Sequence, residues 1–275
     1  MRKKWKKGVA FVLSVAMIFT STQFNVYAEE FDSTMSDIVY VDGQAFTIIT
    51  DTNEGTITVV PVDKTSDAKL ELSNNGESIV TVFNTEAEEY IDYKLDIDKL
   101  TEEDVDIKVI DEDGSIVEEI DDYDDLIEDS YKGQAIAVTI VTVISIDTLI
   151  TALLASAACI SVAGVVYYAG KAVVKEIEKS KEKQKYYYKA YIYNKNVFIN
   201  LANRISRESA ISRIKNKLNV YTYTRSLAKS ITEASGLGYS SPEISCFSGK
   251  KVKFYHYHTA NRNGAHIFYG VPVIS

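Results

Sequence analysis

The chain has 275 residues, of which 46% are hydrophobic and 25% charged, and its formal net charge is −9 at pH 7. Its two cysteines, Cys159 and Cys246, have no C-x-x-C spacing, which argues against both a disulfide framework and a cysteine-ligated zinc site. Because the sequence contains no Walker loop, Rossmann fingerprint or Gly-x-Ser-x-Gly motif, nothing supports nucleotide-dependent or esterase chemistry.

The first 28 residues have the layout of a secretory signal peptide. A cluster of Lys and Arg precedes the apolar residues 8–19, and Ala28 supplies a small residue before Glu29. The apolar run is shorter than the ~20 residues that a membrane span needs. Cleavage after Ala28 is therefore favoured over an uncleaved anchor, and we expect the protein to be secreted or membrane-associated after export.

Charge is divided very unevenly along the rest of the chain. Residues 29–130 contain 5 Lys and no Arg against 32 Asp and Glu, a net charge of −27. Residues 171–275 contain 19 Lys and Arg against 6 Glu, a net charge of +13. Such an asymmetry indicates different roles for the two parts. The acidic part has β-branched and aromatic runs separated by turn residues such as Asp42-Gly43, so we predict an antiparallel β-rich domain over residues 29–130.

Residues 133–170 are the most apolar part of the chain. Between residues 135 and 170 the only charged residue is Asp147, and residues 148–169 are long enough for a membrane-spanning helix. Small side chains recur there at spacings of three and four, which permits close helix contact. A single span, a helical hairpin that turns near Asp147, and a hairpin buried within the fold all remain open. We predict an apolar helical segment that could insert into a membrane.

A charged linker and a small basic domain follow. Residues 171–185 are rich in Lys and Glu and are expected to form a helical linker. Residues 186–275 carry a net charge of +10, and Ser206 and Thr224 are positioned to cap two helices that precede a C-terminal strand hairpin. The predicted fold class is therefore multidomain, with a β-rich acidic N-terminal domain, an apolar helical segment and a basic α+β C-terminal domain.

All three histidines of the chain lie near its C-terminus, in the motif HYHxxNRxxxHIFYG that begins at His256. His256 and His258 share one face of the predicted strand because side chains alternate along a strand. The side on which His266 lies depends on the turn. A two-residue turn at Asn263-Gly264 would put His266 on the opposite face, whereas a three-residue loop Arg262–Gly264 with a bulge would put all three histidines on one face. Both turns are common, so both arrangements remain open.

Three kinds of chemistry fit this cluster. The first is metal-independent RNA cleavage, with His258 and His266 as the acid–base pair and with Arg262 and Tyr269 in support. The second is a metal site, because His-x-His on a strand can bind zinc with His266 as the third ligand. Carboxylates that usually orient such ligands are scarce in this part of the sequence, where Glu243 is the nearest acid. The third is a sheet that binds RNA, a membrane or a partner without catalysis. The first is favoured, and it needs no cofactor and no metal.

The order of signal peptide, β-rich leader, apolar segment, Lys-rich linker and small basic terminal domain resembles that of secreted bacterial toxins of the polymorphic type. The motif from His256 to Gly270 is similar to the terminal motif of several such toxin domains, including ribonucleases of the barnase–EndoU–colicin type. The resemblance covers residues 194–275. It implies functional roles for His256, His258, Arg262 and His266, and it implies a cognate immunity protein, often acidic, that blocks the basic cleft.

We therefore predict a secreted bacterial toxin whose C-terminal domain cleaves RNA. The alternative is a toxin that perturbs membranes or binds a surface without catalysis. The predicted catalytic residues are His256, His258, Arg262, His266 and Tyr269. The predicted substrate-binding residues combine rings that stack on bases with polar and basic groups that hold the backbone. They are Lys251, Lys253, Tyr255, Tyr257, Asn261 and Arg225.

Overall fold

Eight strands follow one another through the acidic part of the chain. The structure is a computed structural model that describes residues 34–63, 67–74, 77–84, 87–121, 144–244 and 252–274. The predicted signal peptide, residues 133–143 of the predicted apolar segment, Cys246 and Lys251 lie outside these described residues. The strands are β1 Thr34–Val41, β2 Gln44–Asp51, β3 Thr56–Pro61, β4 Lys69–Ser73, β5 Ser78–Asn84, β6 Glu89–Leu100, β7 Val105–Ile110 and β8 Ile116–Ile120.

These eight strands pair in sequence order as an antiparallel meander. Buried and half-buried residues alternate along β3 and β4, which is typical of strands with one face on a core. The first turn has Asp42 and Gly43 at positive φ, 51° and 82°, between the paired residues Val41 and Gln44. Two left-handed residues form the two-residue turn whose twist matches that of the flanking strands.

The described part of the apolar segment contains one short helix and a β-hairpin. The elements are α1 Ile146–Ser156, β9 Cys159–Val162, β10 Val165–Ala169 and, after them, α2 Gly170–Lys179 and a 3-10 turn Lys183–Lys185. Helix α1 begins at Ser145, whose hydroxyl accepts the backbone N–H of Thr148, and ends where Ala157 adopts a positive φ of 49°. Ala163 and Gly164 are both left-handed, so they form a two-residue turn between β9 and β10.

The basic part of the chain adds six strands and two helices. The elements are β11 Tyr187–Tyr193, β12 Asn196–Ile205, α3 Arg207–Lys215, β13 Val220–Thr222, α4 Arg225–Ala234, β14 Glu243–Ile244, β15 Val252–His258 and β16 His266–Ile274. Ser206 and Thr224 cap α3 and α4 as predicted, because their hydroxyls accept the backbone N–H groups of Ser209 and Leu227.

The predicted multidomain fold class is wrong, because the described strands form one large mixed sheet. Its order is β1-β2-β3-β4-β5-β6-β9-β10-β12-β11-β13-β16-β15-β14, and β7 and β8 extend from β6. The junction is β6, whose residues Lys99 and Leu100 pair with Val162 and Ser161 of β9. Backbone hydrogen bonds therefore connect the acidic strands to the basic strands. All pairs described are antiparallel except β13 with β16.

The prediction that residues 133–170 form one apolar helical segment is also wrong, because helix α1 ends at Ser156 and two strands follow it. Small residues at helical spacing favour a long helix, but residues 159–169 form the β9–β10 hairpin. Their aromatic and β-branched side chains suit strands, and the Ala163-Gly164 pair supplies the turn. Among the described residues, no helix has both the length and the apolar character needed to cross a membrane.

Helices cover both faces of the C-terminal strands, and this arrangement determines where the histidines lie. Helix α2 shares a core with one set of aromatic residues from β13, β15 and β16, and α3 and α4 share a second core with another set. Side chains alternate along a strand, so the two sets project from opposite faces. The first set is Tyr221, Phe254 and Phe268, and the second is Tyr257 and Tyr269.

Candidate functional site

Strands β15 and β16 bring the three histidines together on one face of the sheet. His256 and His258 lie two residues apart on β15, and His258 is directly opposite His266 of β16. His256 is opposite Phe268, which belongs to the core under α2. The cluster therefore lies on the α2 face, at the end of the hairpin next to its connecting loop. Of the two arrangements that the sequence leaves open, this is the one with a shared face.

The connection between the strands is longer than either predicted turn, because His258 pairs with His266 and residues 259–265 link them. The hydroxyl of Thr259 accepts the backbone N–H of Asn263 at 3.1 Å. The side-chain amide of Asn263 donates to the Ile214 carbonyl at 3.0 Å, which ties the loop to α3. Arg262 adopts a positive φ of 46°. A hydrogen-bonded loop thus sets the register that puts His266 beside His258.

The three imidazole rings are in direct contact with one another. The ring centroids of His258 and His266 are 4.5 Å apart, those of His256 and His258 are 4.7 Å apart, and those of His256 and His266 are 5.2 Å apart. The Nε2 atoms of His256 and His258 are separated by 3.1 Å. One nitrogen from each ring lies within 4.8 Å of the other two. Three side chains with ligand and proton-transfer chemistry therefore converge on one small volume.

Hydrogen bonds determine which nitrogen of two of the rings carries a proton. The Oδ1 atom of Asn219 accepts the backbone N–H of His266 at 2.9 Å, and Nδ1 of His266 is 3.1 Å from the same oxygen. An oxygen can only accept, so neutral His266 carries its proton on Nδ1 and a lone pair on Nε2. Nδ1 of His256 is 3.3 Å from the Phe254 carbonyl oxygen, which by the same reasoning leaves a lone pair on Nε2 of His256.

Burial keeps the cluster neutral near pH 7. His256 is 4% exposed and His258 is 9% exposed, while His266 is half-buried. Burial is the main cause that lowers the pKa of each histidine, and for His266 it lowers the pKa to about 4, with repulsion from His258 and His256 adding to the effect. The positive charge of Arg262 lowers the pKa of His258 further.

The ring of His258 is the least anchored of the three. Its Nδ1 atom is buried and has no partner in hydrogen-bonding geometry among the described residues. The backbone of Ala265 nevertheless acts to raise the pKa of the ring. Its Nε2 atom contacts His256 and lies 3.9 Å from Oε2 of Glu243. The ring therefore keeps its position mainly through packing and through its contact with the neighbouring imidazole.

Glu243 and Arg262 form the solvent-facing edge of the cluster. Glu243 of β14 pairs with His256 of β15, which brings its carboxylate next to the rings. Its Oε1 atom accepts a hydrogen bond from the guanidinium of Arg262. The Arg262 side chain is 58% exposed, so its charge reaches the surface beside His258. The guanidinium of Arg262 and the carboxylate of Glu243 are thus both accessible from solvent beside the histidines.

The predicted tyrosines lie on the other side of the sheet. Tyr257 and Tyr269 belong to the core under α3 and α4, and Tyr255 stacks on Tyr269 with ring centroids 6.0 Å apart. Nε of Arg225 donates to the hydroxyl oxygen of Tyr257 at 3.0 Å. The structure thus groups these four residues with one another and separates them from the histidines, so Tyr269 does not contact the cluster as its predicted catalytic role requires.

Two other predicted residues lie near the hairpin but outside the cluster. Asn261 is exposed in the connecting loop, and Lys253 is half-buried toward the end of β15 that is farther from that loop. One residue of the site was not predicted from the sequence: Asn219, which directly precedes β13 and orients His266. No local motif marks Asn219, because its position depends on the parallel pairing of β13 with β16. Comparison of the chain with known protein families, curated proteins and solved structures found no match.

Proposed function

We propose that this chain is a toxin that cleaves RNA at the histidine cluster in its basic C-terminal part. The observation that carries the proposal is the convergence of His256, His258 and His266 on one face beside the Arg262 guanidinium. A net charge of +10 over residues 186–275 favours a polyanionic substrate. The predicted export signal and the resemblance to secreted toxins support the same function, and they imply an immunity protein as a partner.

His266 is the best candidate for the general base. Its Nε2 atom has a free lone pair in the neutral tautomer that Asn219 imposes, so it could accept the proton of an RNA 2′-hydroxyl. The oxygen would then attack the adjacent phosphorus, and the 5′-oxygen would leave with a proton. Because its pKa is lowered to about 4, His266 is unprotonated before the reaction begins.

His258 is the candidate acid, and the substrate itself would help to charge it. Its pKa is lowered by burial and by Arg262, so it is neutral in the free protein. A bound phosphate places negative charge beside the ring, which favours the protonated form and raises the pKa. The same phosphate could pair with the exposed guanidinium of Arg262. Acid–base catalysis would therefore develop only when the substrate is bound.

Cleavage of a fluorescent RNA oligonucleotide by the purified mature chain tests this function. His266→Gln and His258→Gln should each lower the rate by about 10²- to 10⁴-fold, the usual contribution of one acid or base. Lys215→Gln is the control for loss of a surface side chain, because Lys215 is exposed on α3, which packs on the face of the sheet opposite the histidines, and the rate should stay nearly unchanged. Circular dichroism would verify folding of each variant. A folded wild-type protein that leaves RNA intact would overturn the proposal.

A further inference from the structure

The spacing of the histidine nitrogens matches that of ligands around one metal ion. In a tetrahedral zinc site with Zn–N distances of about 2.0–2.1 Å, two ligand nitrogens are about 3.3 Å apart. The Nε2 atoms of His256 and His258 are 3.1 Å apart, and a nitrogen of His266 lies within 4.8 Å of each. Only a small movement of the His266 ring would therefore complete a three-nitrogen site.

We propose that His256, His258 and His266 bind one divalent transition-metal ion. This site goes beyond the proposed metal-independent RNA cleavage, because an ion bound here would take up the Nε2 lone pair of His266, which then could not act as the general base. Imidazole nitrogens suit zinc, copper, nickel or iron, whereas magnesium and calcium prefer oxygen ligands. Because the grouped ligands are three histidines without a carboxylate, the site is specific for the first class. Zinc is the simplest occupant, since three protein ligands with one open position are typical of its catalytic sites.

Hydrogen bonds outside the cluster already orient two of the ligands. Asn219 holds the Nδ1–H of His266, and the Phe254 carbonyl is 3.3 Å from Nδ1 of His256. The first contact leaves a lone pair on Nε2 of His266, and the second leaves one on Nε2 of His256, which lies 3.1 Å from Nε2 of His258. Outer partners of this kind commonly fix the tautomer and the ring orientation of metal-ligating histidines. The hydrogen-bond acceptors around the cluster are therefore arranged as a metal site needs.

Glu243 is positioned to act on the fourth ligand of such an ion. Its Oε2 atom is 3.9 Å from Nε2 of His258, while its other oxygen binds Arg262. A water molecule in the open position could donate a hydrogen bond to this carboxylate. The ion would lower the pKa of that water and thereby supply a nucleophile near neutral pH. Glu243 would then be a positioning residue, and Arg262 would hold both Glu243 and an anionic substrate.

Metal binding can be measured without any assay of RNA cleavage. The mature chain is freed of metal with EDTA and then exchanged into chelator-free buffer. It is titrated with Zn²⁺ in a calorimeter, and excess Mg²⁺ is present to occupy weak acidic sites. We expect one ion per chain. His256→Gln and His266→Gln should each weaken binding by more than about 100-fold, beyond the loss for an outer-partner mutation. Glu208→Gln, an exposed acid on α3, should leave it unchanged. Binding that is equal in all of these variants would overturn the site.

A measurement on the wild-type protein removes any dependence on how the variants fold. X-ray absorption of the zinc-loaded chain should reveal three imidazole nitrogens at about 2.0 Å. A shell of oxygen ligands alone would refute the site. The RNA assay distinguishes this inference from the proposed function: zinc binding without cleavage would contradict only the proposed function. Cleavage by a chain that binds no zinc would contradict only the metal site.

Discussion

Acidification should destabilise the protein through His266 before most carboxylates become protonated. The folded state holds the pKa of His266 at about 4, against an ordinary value of 6.5. The unfolded chain therefore binds a proton more readily, and the free energy of unfolding falls as pH decreases from 6.5 toward 4. The full shift corresponds to about 3 kcal/mol, of which about 2 kcal/mol is lost between pH 7 and pH 5.

Denaturant titrations of the mature chain at pH 7, 6 and 5 measure this effect, with EDTA present so that no metal competes with protons. His266→Gln removes the titrating group while its side chain can still hydrogen-bond to Asn219. The wild-type protein should lose about 2 kcal/mol more than this variant between pH 7 and pH 5. Equal losses in the two proteins would refute the reasoning, as would an NMR titration that gives His266 a pKa near 6.5.

Three further predictions concern the fold. Thr224→Ala removes the cap of α4 and should lower the free energy of unfolding by about 1 kcal/mol, whereas Thr224→Ser should restore most of it in the same denaturant titration. Gly170→Ala would put a Cβ atom 2.7 Å from the Val197 carbonyl oxygen. The free energy of unfolding, measured by thermal unfolding, should therefore fall by about 1–3 kcal/mol. An unchanged melting temperature would contradict this packing. Burial raises the pKa of the Cys159 thiol to about 12. In a Cys246→Ser background, this thiol should therefore react with a thiol reagent only after unfolding. Fast labelling of the native chain would disprove its burial.

Part of the candidate site follows from the sequence alone. The spacing of His256 and His258 puts both on one face of any strand, whatever the rest of the fold does. The side of the sheet on which His266 lies does not follow, because a change of one residue in the loop length reverses the face. The hydrogen bonds of Thr259 and Asn263 within residues 259–265 decide it, and the bond from Asn263 to Ile214 involves a helix distant in the sequence.

The opposite case is Tyr269, which lies so near the histidines in the sequence that the motif predicts a shared site. The alternation of side chains on β16 separates it from His266 and Phe268, and the core under α3 and α4 encloses it. Two other residues reach the cluster from distant parts of the sheet. Asn219 directly precedes β13, and Glu243 lies in β14. Contacts of this type arise from pairing between distant segments, which no local pattern in a single sequence reports.

Neighbouring residues are enough to predict the local features, which are the helix caps at Ser206 and Thr224, the turn at Asp42-Gly43 and the alternation along the strands. Each depends on neighbouring residues only, since capping and turn formation are local interactions. The tertiary structure alone decided that acidic and basic strands share one sheet, through the pairing of β6 with β9, and that the apolar residues 159–169 form two of its strands. It also decided that three histidines meet, because the register of a hairpin depends on its loop and on the surfaces packed against it.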